Sequence, residues 1–239
     1  MAAVFDQLLG SNQSKTAGTS LVISPASKTV TVGKTIFVAF ASDDGGSAHG
    51  ITDNLGNTYS LVKEQINTAN VKTQLWRAPV TTGGSITTIT VAWTTNVTAK
   101  AAVAGEYSGF GTLRLTEGNN GAATTTVAIT SSTFFNGELW VCALGVEDDV
   151  ASSVGGSAGD PPQTPVSAGT DGTTGGGSAS NISVALGHIL INADSTSNAG
   201  LIGSNSGSQD NAGAGAIYSA AAAAGILPPF RYRQFTHRR

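Results

Sequence analysis

The sequence predicts an all-β fold: an antiparallel β-sandwich with long Gly/Ser/Thr-rich loops and an extended C-terminal arm. Three observations predict it. The 239 residues include 31 glycines but only 11% charged side chains, so the residues that usually cover helical surfaces are scarce. Apolar residues recur with a period of two in short β-rich runs, the pattern of half-buried strands. Clusters of Gly, Asn, Asp and Pro separate those runs. A chain of this length can bury about 70–75% of its unfolded surface, so its core needs neither a metal nor a disulfide.

Residues 1–18 read as a lead-in, with Val4, Phe5, Leu8 and Leu9 as an apolar anchor before a polar, turn-rich stretch. One domain is expected over 19–225. Strands are predicted at 19–24 and 29–32, on either side of a turn at Pro25. In 35–41 (Thr-Ile-Phe-Val-Ala-Phe-Ala) nearly every position is apolar, as in a central strand covered on both faces. Asp43-Asp44-Gly45-Gly46 reads as a solvated turn, because no spaced series of oxygen ligands follows it. His49 reads as a loop residue, and none of the three histidines has metal-ligand spacing.

Residues 51–109 are the organising stretch. Asp53-Asn54-Leu55-Gly56-Asn57 is a turn, in which Asp and Asn bond their own backbone and Gly56 takes positive φ at little cost. A strand at 58–62 follows. In 71–78, Val71, Thr73 and Leu75 fall on one face and Lys72, Gln74 and Trp76 on the other. The cleanest period of two runs through 86–93, with Ile89, Val91 and Trp93 inward. Trp76 and Trp93 fit core packing; a sugar-stacking platform is the sharper alternative for such aromatics. Further strands are expected at 101–107 and 113–115.

Residues 124–145 echo 29–41, each ending in acid (Glu147-Asp148-Asp149, as Asp43-Asp44 before), which suggests analogous hairpins on paired sheets. Residues 151–180, rich in Gly, Ser, Thr and Pro, read as a long surface loop. A strand resumes at 183–192, with Val184, Leu186, His188 and Leu190 on one face. Residues 198–214 read as a polar loop. For 215–224 alanine favours a helix, whereas an all-β context favours a last strand.

Cys142, the lone cysteine, lies in an apolar run and reads as a buried structural thiol. No basic-then-apolar leader opens the chain, and no run approaches the roughly 18 apolar residues of a membrane span. The expectation is synthesis in a cytoplasm and no membrane partner.

Charge is unevenly placed. Before Phe230 there are eight basic and fifteen acidic residues, a balance of −7, and four arginines in the last nine positions restore +4. After the extended Ile226-Leu227-Pro228-Pro229, the arm alternates as Phe230-Arg231-Tyr232-Arg233-Gln234-Phe235 and continues to Arg238 and Arg239. As a strand it would place Phe230 and Tyr232 on one side and Arg231 and Arg233 on the other, suited to adding onto a sheet edge. Four charges give little affinity for nucleic acid at physiological salt, so a protein partner is favoured.

No catalytic residue, metal ligand or cofactor is assigned. Glu64, Glu106, Glu117 and Glu138 form no glycosidase pair. Gly203-Ser204-Asn205-Ser206-Gly207 carries Asn where a nucleophile elbow needs Ser.

Val4-Phe5-Asp6, the turn from Thr52 to Tyr59, Trp76-Arg77-Ala78-Pro79 and Glu106-Tyr107-Ser108-Gly109 are similar to short motifs of β-sandwich proteins of tailed-phage virions and some bacterial surface proteins. The resemblance spans roughly residues 1–224. It implies a jelly-roll-like sandwich with a structural or adhesive role, as a decoration, cement or fibre-type virion protein partnered by capsid or tail subunits and by itself. A symmetric homo-oligomer is expected, a trimer being one closed form. The alternative is a glycan- or receptor-binding module, for which Tyr59, Trp76, Asp43, Asp44 and Asp53 are the residues to examine.

Overall fold

The computed structural model describes residues 2–43, 48–67, 71–131, 133–147, 153–156, 166–175, 180–194 and 199–222. Among them there are strands and no α-helix. A five-stranded antiparallel sheet lies in the middle: β1 (Val4–Ser14), β10 (Lys100–Ser108), β4 (Thr35–Asp43), β7 (Val71–Pro79) and β6 (Ser60–Asn67), in that order. One of its faces is covered by the three-stranded sheet β2 (Gly18–Ile23), β9 (Ile89–Val97) and β5 (Ala48–Asp53). The short pair β3 (Lys28–Val30) and β8 (Gly84–Ile86) stands beside it.

The order β1-β10-β4-β7 facing β2-β9-β5 is the alternation of a jelly roll, in which the chain crosses repeatedly between two sheets. β6 departs from it. Instead of extending the three-stranded sheet beside β5, it doubles back onto β7.

The second half of the chain forms another sheet, in the order β11 (Phe110–Ser131), β16 (Ala199–Ala220), β12 (Leu139–Val146), β15 (Ser183–Leu190) and β14 (Val166–Gly172), with β13 (Ser153–Gly156) paired to β16. It covers the other face of the middle sheet.

The middle sheet therefore has two cores. Toward the second-half sheet, Phe37, Val71, Leu75, Val103 and Tyr107 pack with Leu139, Val141, Val184, Leu186 and Tyr218. Toward the three-stranded sheet, Ile36, Val38, Phe40 and Trp76 pack with Ile23, Ile51, Ile89, Val91 and Trp93. Every interior position of β4 is buried for that reason. A third cluster, including Phe134, Trp140, Cys142 and Ile217, lies on the far face of β12 and β15.

Two glycines permit these approaches. Gly109 turns the chain from the middle sheet to the second with φ +76°, and a Cβ there would strike the carbonyl of Ala2. Gly145, in β12, leaves no room for a Cβ against Thr73 Oγ1 and Ala41.

Several expectations are corrected. The lead-in is a strand: β1 pairs with β10 from Val4↔Ser108 to Ser14↔Lys100 and seats Leu9 in the core. Register shifts between Phe5 and Gln7 and between Leu8 and Gly10 break its alternation, so the period of two is lost. His49 belongs to β5. The described part of the polar loop at 198–214 belongs to β16, whose 211–218 segment pairs with both β11 and β12 and is buried between them. Residues 215–220 continue it as strand, as the all-β context required. The stretch 151–180 contains β13 and β14 rather than one loop.

Nor are there two analogous hairpins. β3 pairs with β8, and the 124–131 part of β11 pairs with β16. The echo between the halves survives only in β4 and β12, each the central strand of its sheet. The arm at 226–239 and Asp44 lie outside the described residues.

Gly145→Ala should lower stability by about 1–3 kcal/mol, because the added methyl must push two packed sheets apart. A urea titration of the two proteins, read as a drop in midpoint at unchanged slope, checks it.

Candidate functional site

The turn after β5 is built on one carboxylate. Asp53 Oδ1 accepts from the backbone N–H of Leu55 at 2.9 Å and of Asn57 at 3.1 Å. Its Oδ2 accepts from Asn57 Nδ2 and from the Tyr59 hydroxyl, both at 3.0 Å. Asn57 extends the network by accepting, through Oδ1, from the N–H groups of Thr81 (2.9 Å) and Thr82 (3.0 Å). Gly56 takes φ +76°, as the turn sequence predicts. Burial and the Asp53 charge push the Tyr59 hydroxyl far above its ordinary pKa, so it remains a donor. Asp53 and Tyr59 are thus brought together, but to lock a turn.

Trp76 stands on the same core cluster and is 7% exposed, with its indole N–H donating to Gln74 Oε1 at 2.9 Å. Gln74 in turn donates to Glu64 at 2.5 Å. No open aromatic face remains on which a sugar could stack, which corrects the platform alternative for Trp76. Asp43 is at the other end of β7, paired with Val71, whereas Ser60 pairs with Arg77 near the turn. The four described residues considered for a glycan, Asp43, Asp53, Tyr59 and Trp76, therefore do not converge.

Other ionisable groups close the layers. Glu106 is fully buried and accepts from Gln7 Nε2 (2.8 Å) and the Thr31 N–H (2.9 Å), with Lys34 bridging it to Asp6. The hydrogen bond that Lys34 donates to Asp6, with the charge of Glu106, raises the pKa of Lys34. Glu138 holds Arg114 at 2.6 Å and accepts from the Phe135 N–H at 2.9 Å. Lys100 donates to the carbonyls of Thr16 and Val97, both at 2.7 Å, and burial lowers its pKa. His188, on the same face of β15 as Val184 and Leu186, faces Tyr107 with Nδ1 3.2 Å from the hydroxyl and stacks on Phe5. Burial depresses it to about 4.

Carboxylates come close together where β4 and β12 end. Asp43 closes β4, Glu147 follows β12, and the Glu147 N–H donates to the carbonyl of Asp210 in β16 at 2.9 Å. Burial pushes the Glu147 carboxyl up to about 7, with Asp210 and then Asp43 adding repulsion. Among the described residues no group of three or more His, Cys, Asp and Glu is arranged to hold a metal ion, and no helix is long and apolar enough to cross a membrane. The two acidic strand ends are visible in sequence. Asp210 is not, because the stretch around it reads as loop.

Replacing Asp53 by Asn turns the oxygen that accepts from Asn57 Nδ2 and the Tyr59 hydroxyl into a donor, and should cost about 1–3 kcal/mol, read as a lower thermal midpoint. Glu147 and His188 set opposite pH trends. Glu147, raised in the folded state, favours folding below its ordinary pKa of 4.5, and that advantage is lost as pH rises to about 7. His188, depressed from 6.5, supports folding above that value, and its support is lost as pH falls to about 4. Glu147→Gln should therefore stabilise the protein above pH 7 by on the order of 2 kcal/mol and leave it unchanged below pH 4. Chemical denaturation across that pH range measures both.

In comparisons with known proteins, no family model, no curated protein and no solved structure matches this chain.

Proposed function

We propose that the chain is a non-enzymatic virion structural protein of a tailed phage, of decoration, cement or fibre type, that assembles through its arginine- and aromatic-bearing arm. What carries this reading is the use of its polar side chains. Asp53, Asn57, Glu106, Glu138 and Lys100 each tie two or more segments of one layered body together. A body so braced suits holding a position and presenting a surface.

The jelly-roll order of the first ten strands supports the setting, since such sandwiches recur in capsid and lectin domains. The fold alone does not choose between those two. The buried indole of Trp76 and the internal bonding of Asp53 and Tyr59 favour the structural role over glycan recognition. The arm supplies the means of attachment: two prolines that stiffen it, three aromatics to fill pockets and four guanidinium groups to meet carboxylates.

Full-length protein is expected to form a discrete homo-oligomer in solution, and protein lacking 226–239 to be a folded monomer with an unchanged melting profile. Light scattering after size-exclusion chromatography tests both. Identical mass with and without the arm would overturn the proposal.

A further inference from the structure

His188 sits in the seam between the middle and second-half sheets and is 2% exposed. Its ring stacks on Phe5 of β1 at 5.1 Å and meets Tyr107 of β10 edge-on at 5.3 Å. Gly105 lets the layers close over this aromatic box, since a Cβ there would stand 3.2 Å from both Leu186 and Phe5. The neutral imidazole fits the space. At 3.2 Å its Nδ1 accepts from the Tyr107 hydroxyl, which burial keeps protonated. The imidazolium does not fit. A hydrogen on Nδ1 takes the acceptor away from Tyr107, and a cation then stands among rings and aliphatic side chains.

No carboxylate among the described residues lies against the ring to offset that charge. In the ladder His188 is flanked by Val141 of β12 and Val166 of β14. Asp6 and Glu106, next in sequence to Phe5 and Tyr107, hold Lys34 and the Thr31 N–H on the other face of the middle sheet. Cys142 belongs to the cluster on the far face of β12, and burial pushes its thiol up to about 12, so it stays neutral. Arg77 reaches the seam over Tyr218, two strands from His188, and as a cation offers no compensation. Glu147, Asp210 and Asp43 stand at the opposite end of the seam. Glu147, raised to about 7, gains its proton well before His188 does as the pH falls, and that end tightens first.

We infer that the seam is an acid-opened joint: protonation of His188 parts the second-half sheet from the middle sheet while the jelly-roll half stays folded. The inference is independent of the assembly role proposed above.

The jelly-roll half has the means to persist, because the core of Ile23, Ile36, Phe40, Val91 and Trp93 is drawn from residues 9–104 alone. Sub-global opening of this kind follows the weaker boundary between cooperative units. It would uncover the apolar row of Phe37, Leu75, Val103 and Tyr107. Burial depresses His188 from its ordinary 6.5 to about 4. Between those values the closed form loses about tenfold against the open form per pH unit, roughly 300-fold in all.

The test uses the full chain and the double variant Tyr107→Phe/His188→Phe, which removes both members of the hydrogen bond and leaves no orphaned hydroxyl. Binding of an apolar-surface dye is followed from neutral pH down to about pH 3, with hydrogen exchange resolved by segment. In the parent, dye binding should rise about tenfold or more as the pH approaches about 4. Protection should fall in β15 and be retained in β4 and β9. The double variant should bind no more dye in acid than at neutral pH.

An acid response in the double variant equal to the parent's would overturn His188 as the trigger. Loss of protection in β9 in step with β15 would mean that the whole molecule unfolds, and would overturn the joint. So would a parent that binds no dye across the range. Should the double variant not fold, NMR of the parent's imidazole carbons decides: His188 titrating near its ordinary 6.5 would overturn the inference, and titration in step with dye binding would support it.

Discussion

Burial of the middle sheet on both faces is the constraint from which the rest of the structure follows. A strand such as β4 has no side exposed to water, so both of its side-chain rows must be apolar, and polar groups survive only at its ends. Phe37 and Phe40, three residues apart, belong to different cores. The same constraint explains the small residues of β10, where Ala101, Ala102, Ala104 and Gly105 lie between layers on either side. Charged groups that do enter the body arrive with partners. Glu106 has two donors and a nearby ammonium, and Lys100 has two carbonyls, because an unpaired buried charge would cost several kcal/mol, roughly.

Against that background Glu147 stands out: it is 8% exposed, and burial, with the charges of Asp210 and then Asp43, pushes its carboxyl up to about 7.

Much of this was legible in the residues. The inward set Ile89, Val91 and Trp93 is buried, and the row Val184, Leu186 and His188 faces the middle sheet. β9 alternates cleanly because one side meets a core and the other does not, whereas β15 meets an apolar cluster on each side. β1 was not legible, since two register shifts scramble its pattern, and β16 was not, since Gly, Ala and Asn read as loop when the burial comes from neighbours on both sides. The candidate site divided in the same way. The Asp53 turn followed from local chemistry. The burial of Trp76 and the approach of Asp210 to Glu147 depend on strands distant in sequence, which no local pattern encodes.

The crossing at Gly109 divides the strands into consecutive halves: those within residues 4–108 complete the jelly roll, and the described strands from Phe110 onward build the layer that covers its back. During synthesis the first half leaves the ribosome whole, while the row containing Phe37, Leu75, Val103 and Tyr107 still faces solvent. The nascent protein therefore passes through a stage with a broad greasy flank and open strand edges, the species most prone to sticking to its siblings. Translation speed past codon 109, and chaperones that shield such flanks, should govern yield more than the stability of the finished molecule does.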